Sequence, residues 1–162
     1  MSNYFEDLEI GAVASLGSHM FRRDEILEFA RRYDPQQFHL DEDAAKRGLF
    51  GGLSASGWHT GSVWLRLMLD HRKREADLIA FCGERPARYG PSPGFEKLSW
   101  LKPVLVDDTI TFTTRVIDKL DAGTRPEFGL VHWYNEGSNQ RGEVAFSVVS
   151  KVFVERRRPL TR

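Results

Sequence analysis

Asp34 and His39 stand five positions apart in the stretch "RRYDPQQFHLDEDAA", residues 31 to 45, between an apolar-periodic segment and an acidic one. A carboxylate and an imidazole that share one water molecule can take a proton from it and hand one to a neighbouring carbon. That is general acid-base chemistry at neutral pH. Pro35 lacks an amide hydrogen and disfavours helical backbone at the residue before it, so the sequence predicts a bend that is not helical and leaves the two side chains free to converge. The same residues have a plainer use, an aspartate capping the next turn and a histidine bonded to a backbone carbonyl. Spacing alone leaves both open.

The surroundings bear on that choice. The glycine-rich "GLFGGLSASG" leads directly into an apolar helical segment at "SASGWHT", so the amides around Gly57 are expected at the positive end of a helix dipole. Amides so placed can hold negative charge developing on a carbonyl oxygen. Gly57 has no Cβ, which would let a substrate atom approach closely. Ser56 and Trp58 flank it and complete a candidate oxyanion and substrate-binding set. The simpler use of the same residues is tight packing at a helix start, with Ser56 as the N-cap.

Other candidates carry less. His59 falls one turn inside the helix, as suited to packing as to function, and His19, His71 and His132 have no partner pattern. There is no H-E-x-x-H, no cysteine ligand set, no clustered acidic loop, no P-loop and no dinucleotide fingerprint, so neither a metal nor a bound cofactor is expected. "GLSASG" does not form a G-x-S-x-G elbow, which argues against a serine nucleophile. Arg72, Lys73, Arg74, Arg85 and Arg88 could hold phosphates, or be solvated among Glu75, Asp77 and Glu84.

The elements that must position these groups follow from periodicity. Residues 12 to 20 read as a weak strand. In "RRDEILEFARRY", Ile26, Phe29, Ala30 and Tyr33 fall at i, i+3, i+4 and i+7, which predicts an amphipathic helix over residues 23 to 33. "LDEDAAKRG" predicts a short helix with acids first and bases last. From about Ser56 to Arg72 the chain is apolar on most sides, which predicts a helix wrapped by other structure. Segments 78–83, 94–101, 108–119, 127–136 and 142–155 are rich in β-branched and aromatic residues and read as strands, the last three joined as hairpins at "DAGTRP" and "NEGSNQRG". The plan is α+β, a curved antiparallel sheet wrapping a long central helix.

At 162 residues and 41% apolar content the chain suits one domain, 1–162, with a flexible tail over 155–162. Lys plus Arg and Asp plus Glu balance at 23 each, so no net field draws the chain to nucleic acid or an anionic membrane. The single cysteine, Cys82, excludes an internal disulfide and fits a reducing, cytoplasmic setting. Neither a signal peptide nor a membrane-spanning run is read from the sequence. A short sheet wrapped on one helix leaves two edges, and a second copy would hide one, so a homodimer or dimer-based oligomer is expected.

Three segments in order carry a family resemblance. "FARRYDPQQFHLDEDAA" resembles the hydratase signature of the MaoC-like dehydratases, the (R)-specific enoyl-CoA hydratase group. "GLFGGLSASGWHT" is similar to that family's loop into the central helix, and "PGFEKLSWLKPVLVDDTITF" to its later strand-turn-strand segment. The resemblance implies a hotdog fold, a dimer, and hydration of trans-2-enoyl-CoA thioesters or the reverse dehydration, with the CoA thioester as substrate. By position it implies that Asp34 and His39 activate water and that the Gly57 amide polarises the thioester carbonyl. Gln36 and Gln37 replace the usual asparagine-proline, with Pro35 directly after the acid, Tyr33 replaces a common glycine, and Asp107 falls at a turn where glycine-aspartate is typical. The other activities weighed for such a fold are a thioesterase and a non-catalytic acyl-binding module.

Overall fold

The computed structural model describes residues 2–123 and 125–161. A 3-10 turn, Phe5–Asp7, precedes strand β1 (Val13–Met20), helix α1 (Arg23–Tyr33), the short helices α2 (Gln37–Leu40) and α3 (Glu42–Arg47), and the long helix α4 (Gly57–Phe81). Strands β2 (Gly94–Trp100), β3 (Thr109–Asp121), β4 (Phe128–Ser138) and β5 (Val144–Glu155) complete the chain. They form one sheet in the order β1-β3-β4-β5-β2, with every neighbouring pair antiparallel. This is the expected α+β hotdog arrangement, a long helix against a five-stranded sheet.

Alternation builds the sheet. Along β4 buried residues occupy every second position, and in β3 Ile110, Phe112 and Val116 are buried on one face. Phe21, Ile26, Met68, Ile110, Phe112 and Phe146 meet in the main core between sheet and helices. Truncating a buried phenylalanine such as Phe112 would cost about 3–5 kcal/mol. Gly137 of β4 is required there, because a Cβ at that position would lie 2.7 Å from the Phe112 ring and 2.9 Å from Ile110.

Helix α1 has the expected bounds. Ile26, Leu27 and Ala30 face the core, Asp24 and Glu25 lie in its first turn, and Arg31 and Arg32 in its last. The Glu25 carboxylate accepts from the Arg22 amide at 3.0 Å. The helix stops at Asp34, whose backbone (φ −149°, ψ 68°) is not helical, as the following proline requires.

Four sequence expectations are corrected. The bend is not free of helix, since the restriction from Pro35 acts on Asp34 and leaves the chain free to make one helical turn at α2, which carries His39. Residues 78–81 are the last turn of α4 rather than a strand; Ile79 is buried while Leu78 and Phe81 are exposed, a helical pattern, and Gly83 (φ +80°) follows the end. Helix α4 is not wrapped on all sides, because the sheet covers one face and leaves Trp58, Leu65, Leu69 and Phe81 exposed. The tail does not loosen at residue 155. Glu155 ends β5 and pairs with Arg85 and Arg88, Arg156 lies over the Phe5 ring, and Arg157 hydrogen-bonds Asp7.

Candidate active site

Asp34 and His39 come together where α1 gives way to α2. The His39 Nε2 lies 3.4 Å from the Asp34 Oδ2, and the His39 side chain is only 6% exposed. On the far side of the ring Nδ1 meets the Ser54 carbonyl oxygen at 2.7 Å. A carbonyl can only accept, so Nδ1 carries a hydrogen, and the lone pair of the corresponding neutral tautomer is at Nε2, on the Asp34 side. The plain use of the histidine, a bond to a backbone carbonyl, is thus present and fixes the tautomer. The plain use of the aspartate is not: Asp41 caps α3 by accepting from the Ala44 amide at 3.0 Å.

Gln36 donates to the Asp34 Oδ1 at 2.7 Å. Burial raises the Asp34 pKa, but the hydrogen bonds of Gln36 and Ser56 and the neighbouring His39 outweigh it and hold the carboxyl below its ordinary value. The group is therefore a carboxylate at neutral pH, an acceptor only. A water touching both Asp34 and His39 Nε2 would find two acceptors and donate one hydrogen to each.

The start of α4 forms an adjoining wall. Ser56 is the N-cap, buried, with its Oγ accepting from the Trp58 amide at 3.2 Å. Gly57 is the first helical residue; the carbonyl four positions back, of Leu53, accepts from Val106 instead, so the Gly57 amide belongs to the set that a helix leaves without an internal acceptor. The space expected to be open beside Gly57 is filled: a Cβ there would sit inside the Trp100 indole. Trp58 is half exposed at the rim and meets Trp100 edge-on, with ring centroids 5.2 Å apart.

These residues line one cavity of about 370 Å³, completed by Phe38, Phe50, Thr60, Lys102 and Val104 among others. Asp34, His39, Gly57 and Trp58 all line it, whereas Ser56 does not and is buried as the N-cap of α4. Three further residues contribute that the local sequence does not mark. Ser54 acts through its backbone, Trp100 arrives from β2, and Phe50 comes from the loop before α4; none carries a local signal. Gln36, one of the two glutamines that follow Pro35, is legible in the sequence.

His59 is structural in its contacts. It stacks on Phe29 at 4.7 Å and 5° and meets Phe21 edge-on at 5.1 Å, joining α1 to α4, and burial holds its imidazole below the usual value. Among the basic residues, Arg72 covers Tyr89 and Trp133, Lys73 pairs with Asp77, and Arg85 and Arg88 with Glu155. Among the described residues no group of three or more histidine, cysteine, aspartate or glutamate side chains could hold a metal ion, and no helix is long and apolar enough to cross a membrane.

A family model described as a MaoC like domain matches residues 11–128. The chain belongs to the MaoC-like dehydratase family. A solved MaoC-like dehydratase from Rhodospirillum rubrum is 34% identical and covers 98% of this chain and 100% of its own, with a TM-score of 0.79. The unliganded (R)-hydratase PhaJ1 from Pseudomonas aeruginosa shares the fold at 19% identity and a TM-score of 0.66, covering 98% of this chain and 92% of its own. An uncharacterized protein of Bacillus subtilis, YdeM, is 28% identical over 151 residues, 93% of this chain and 98% of its own length.

Proposed function

We propose that this MaoC-like protein is an acyl-CoA hydratase or dehydratase that adds water to a trans-2-enoyl thioester, or removes it from the 3-hydroxyacyl product. The observation that carries this reading is the Asp34–His39 pair, 3.4 Å apart at a cavity wall, with the imidazole fixed from behind by the Ser54 carbonyl. The Asp34 carboxylate and the His39 Nε2 together hold one water. Its oxygen forms the bond to the β-carbon, one of its protons passes to the pair, and the pair returns a proton to the α-carbon. No oxidation changes hands and no cofactor is required.

Addition at the β-carbon places negative charge on the thioester oxygen. The Gly57 amide, at the positive end of α4, is the proposed donor to it, with Ser56 positioning Asp34 and Trp58 flanking the acyl group. Stabilising that charge is usually the largest catalytic contribution. The name of a neighbour with this fold, an (R)-hydratase, agrees with the reaction class.

A homodimer is part of the proposal. Strands β1 and β2 are the two edges of the sheet, and pairing one of them with a second copy would cover its unpaired backbone groups. A formal net charge of zero gives no basis for a nucleic-acid or membrane partner, and the lone Cys82 suits the cytoplasm.

Incubation with crotonyl-CoA, followed at once by enoyl absorbance and by a thiol reagent, tests the reading. Loss of the enoyl chromophore with formation of 3-hydroxybutyryl-CoA and no free thiol is expected. Thiol release would point to a thioesterase, and binding without turnover across a panel of enoyl thioesters to a non-catalytic acyl-binding protein; either contradicts the proposal.

A further inference from the structure

Adjoining the Asp34–His39 cavity is a second one of about 320 Å³, apolar on most sides, with walls from Leu65, Met68, Phe95, Leu98, Phe146 and Val148. The residues common to both linings are Trp58 and Trp100. Their indoles meet edge-on at 73°, and Trp100 also lies against Gly57, so one aromatic pair separates the two spaces. Trp100 closes strand β2 just after an irregularity, where the register with β5 shifts between Glu96 and Ser99 and Lys97 takes φ +52°. A bulge re-aims the side chains that follow it.

We infer that Trp100 is the wall that limits acyl chain length, and that the apolar cavity behind it is a seat for the hydrocarbon tail that the indole keeps out. The inference rests on the hydratase reading. The thioester oxygen is to sit at Gly57, the residue Trp100 touches, so a tail that outgrows the first cavity meets the indole. Lining supports the second half: the first cavity carries a carboxylate, an imidazole and Lys102, whereas the second offers only serine hydroxyls and the indole N–H groups among hydrocarbon and aromatic walls. With the indole in place, short enoyl thioesters are the substrates.

The test compares wild type, Trp100→Ala and Trp100→Phe on crotonyl-CoA and trans-2-decenoyl-CoA. The ratio of kcat/KM for decenoyl over crotonyl should rise at least about tenfold in the alanine variant, mainly through KM, and by less in the phenylalanine variant; one buried methylene is worth roughly a factor of four. An unchanged ratio in a cooperatively melting variant, or a wild type that already prefers decenoyl, overturns the inference. If the alanine variant does not fold, the phenylalanine variant carries the same comparison. If wild type turns over neither thioester, the hydratase reading fails, and the wall is judged by calorimetry with saturated decanoyl-CoA. Binding at least about tenfold tighter in the variant supports it, and equal binding overturns it.

Discussion

Two cavities lined by aromatic and titratable side chains sit at opposite halves of α4, and they use those groups differently. At the first, Asp34 and His39 turn free acceptor positions toward the space, while their other atoms are held by Gln36, Ser56 and the Ser54 carbonyl. At the second, of about 160 Å³ and lined by His71, Arg72, Glu75, Tyr89 and Trp133, the guanidinium is spread over two rings, 4.4 Å from Tyr89 and 5.1 Å from Trp133. Glu75 there accepts from Asn3. Burial pushes the Tyr89 phenol up to about 12, so a large perturbation marks the second cavity, whereas at the first Asp34 is simply held low. The proposal for the first cavity therefore does not rest on the size of a pKa shift; it rests on free valence aimed at an accessible space.

Substitution can break that contrast. The largest effect is expected at the first cavity: Asp34→Asn and His39→Ala should each lower kcat/KM for enoyl-CoA hydration about 10³-fold, within the span of general acid-base groups, while both variants still melt cooperatively. Loss of a few-fold only would place the two groups outside the chemistry.

At the second cavity the expectation reverses. Arg72→Ala should leave turnover at the wild-type level and lower stability by about 1–2 kcal/mol, through lost cation-π contact and lost cover over Tyr89 and Trp133. A chemical denaturation curve measures the second effect and the enoyl assay the first. A large drop in kcat without loss of stability would mean that the Arg72 cavity is catalytic too.

A smaller effect sharpens the comparison within the first cavity. The folded Asp34 pKa is depressed, so its stabilisation is present above the ordinary carboxylate value and is lost as pH falls through the lowered one. Gln36→Ala removes one of the donors responsible, so the acid limb of the pH–rate profile should move to higher pH with only a few-fold loss at its plateau. A limb that stays in place would separate Gln36 from the ionisation of Asp34.

Much of this arrangement was legible in the sequence where neighbours along the chain decide it. The 3.6-residue spacing of Ile26, Phe29, Ala30 and Tyr33 and the proline after Asp34 located α1 and its end, and β-branched and aromatic composition located β3, β4 and β5. Asp107, read as a turn position, does adopt a left-handed backbone, φ +64°. What the sequence withheld is decided at long range. The apolar "LIAF", with one β-branched and one aromatic residue, reads locally as a strand, but one buried residue, Ile79, and a following glycine suit the last turn of a helix whose other face has no cover. That His39 is fixed by a carbonyl 15 residues away, and that the void beside Gly57 is occupied by an indole from β2, are consequences of packing between elements that no local pattern encodes.

The central claim is that Asp34 and His39 act on one water as a unit, and a double-mutant cycle on kcat/KM for crotonyl-CoA tests it most directly. If they do, Asp34→Asn combined with His39→Ala falls no more than about tenfold below the worse single variant, because either loss already disables the pair. Losses that multiply would mean that the two side chains work independently, and the shared-water account would be wrong.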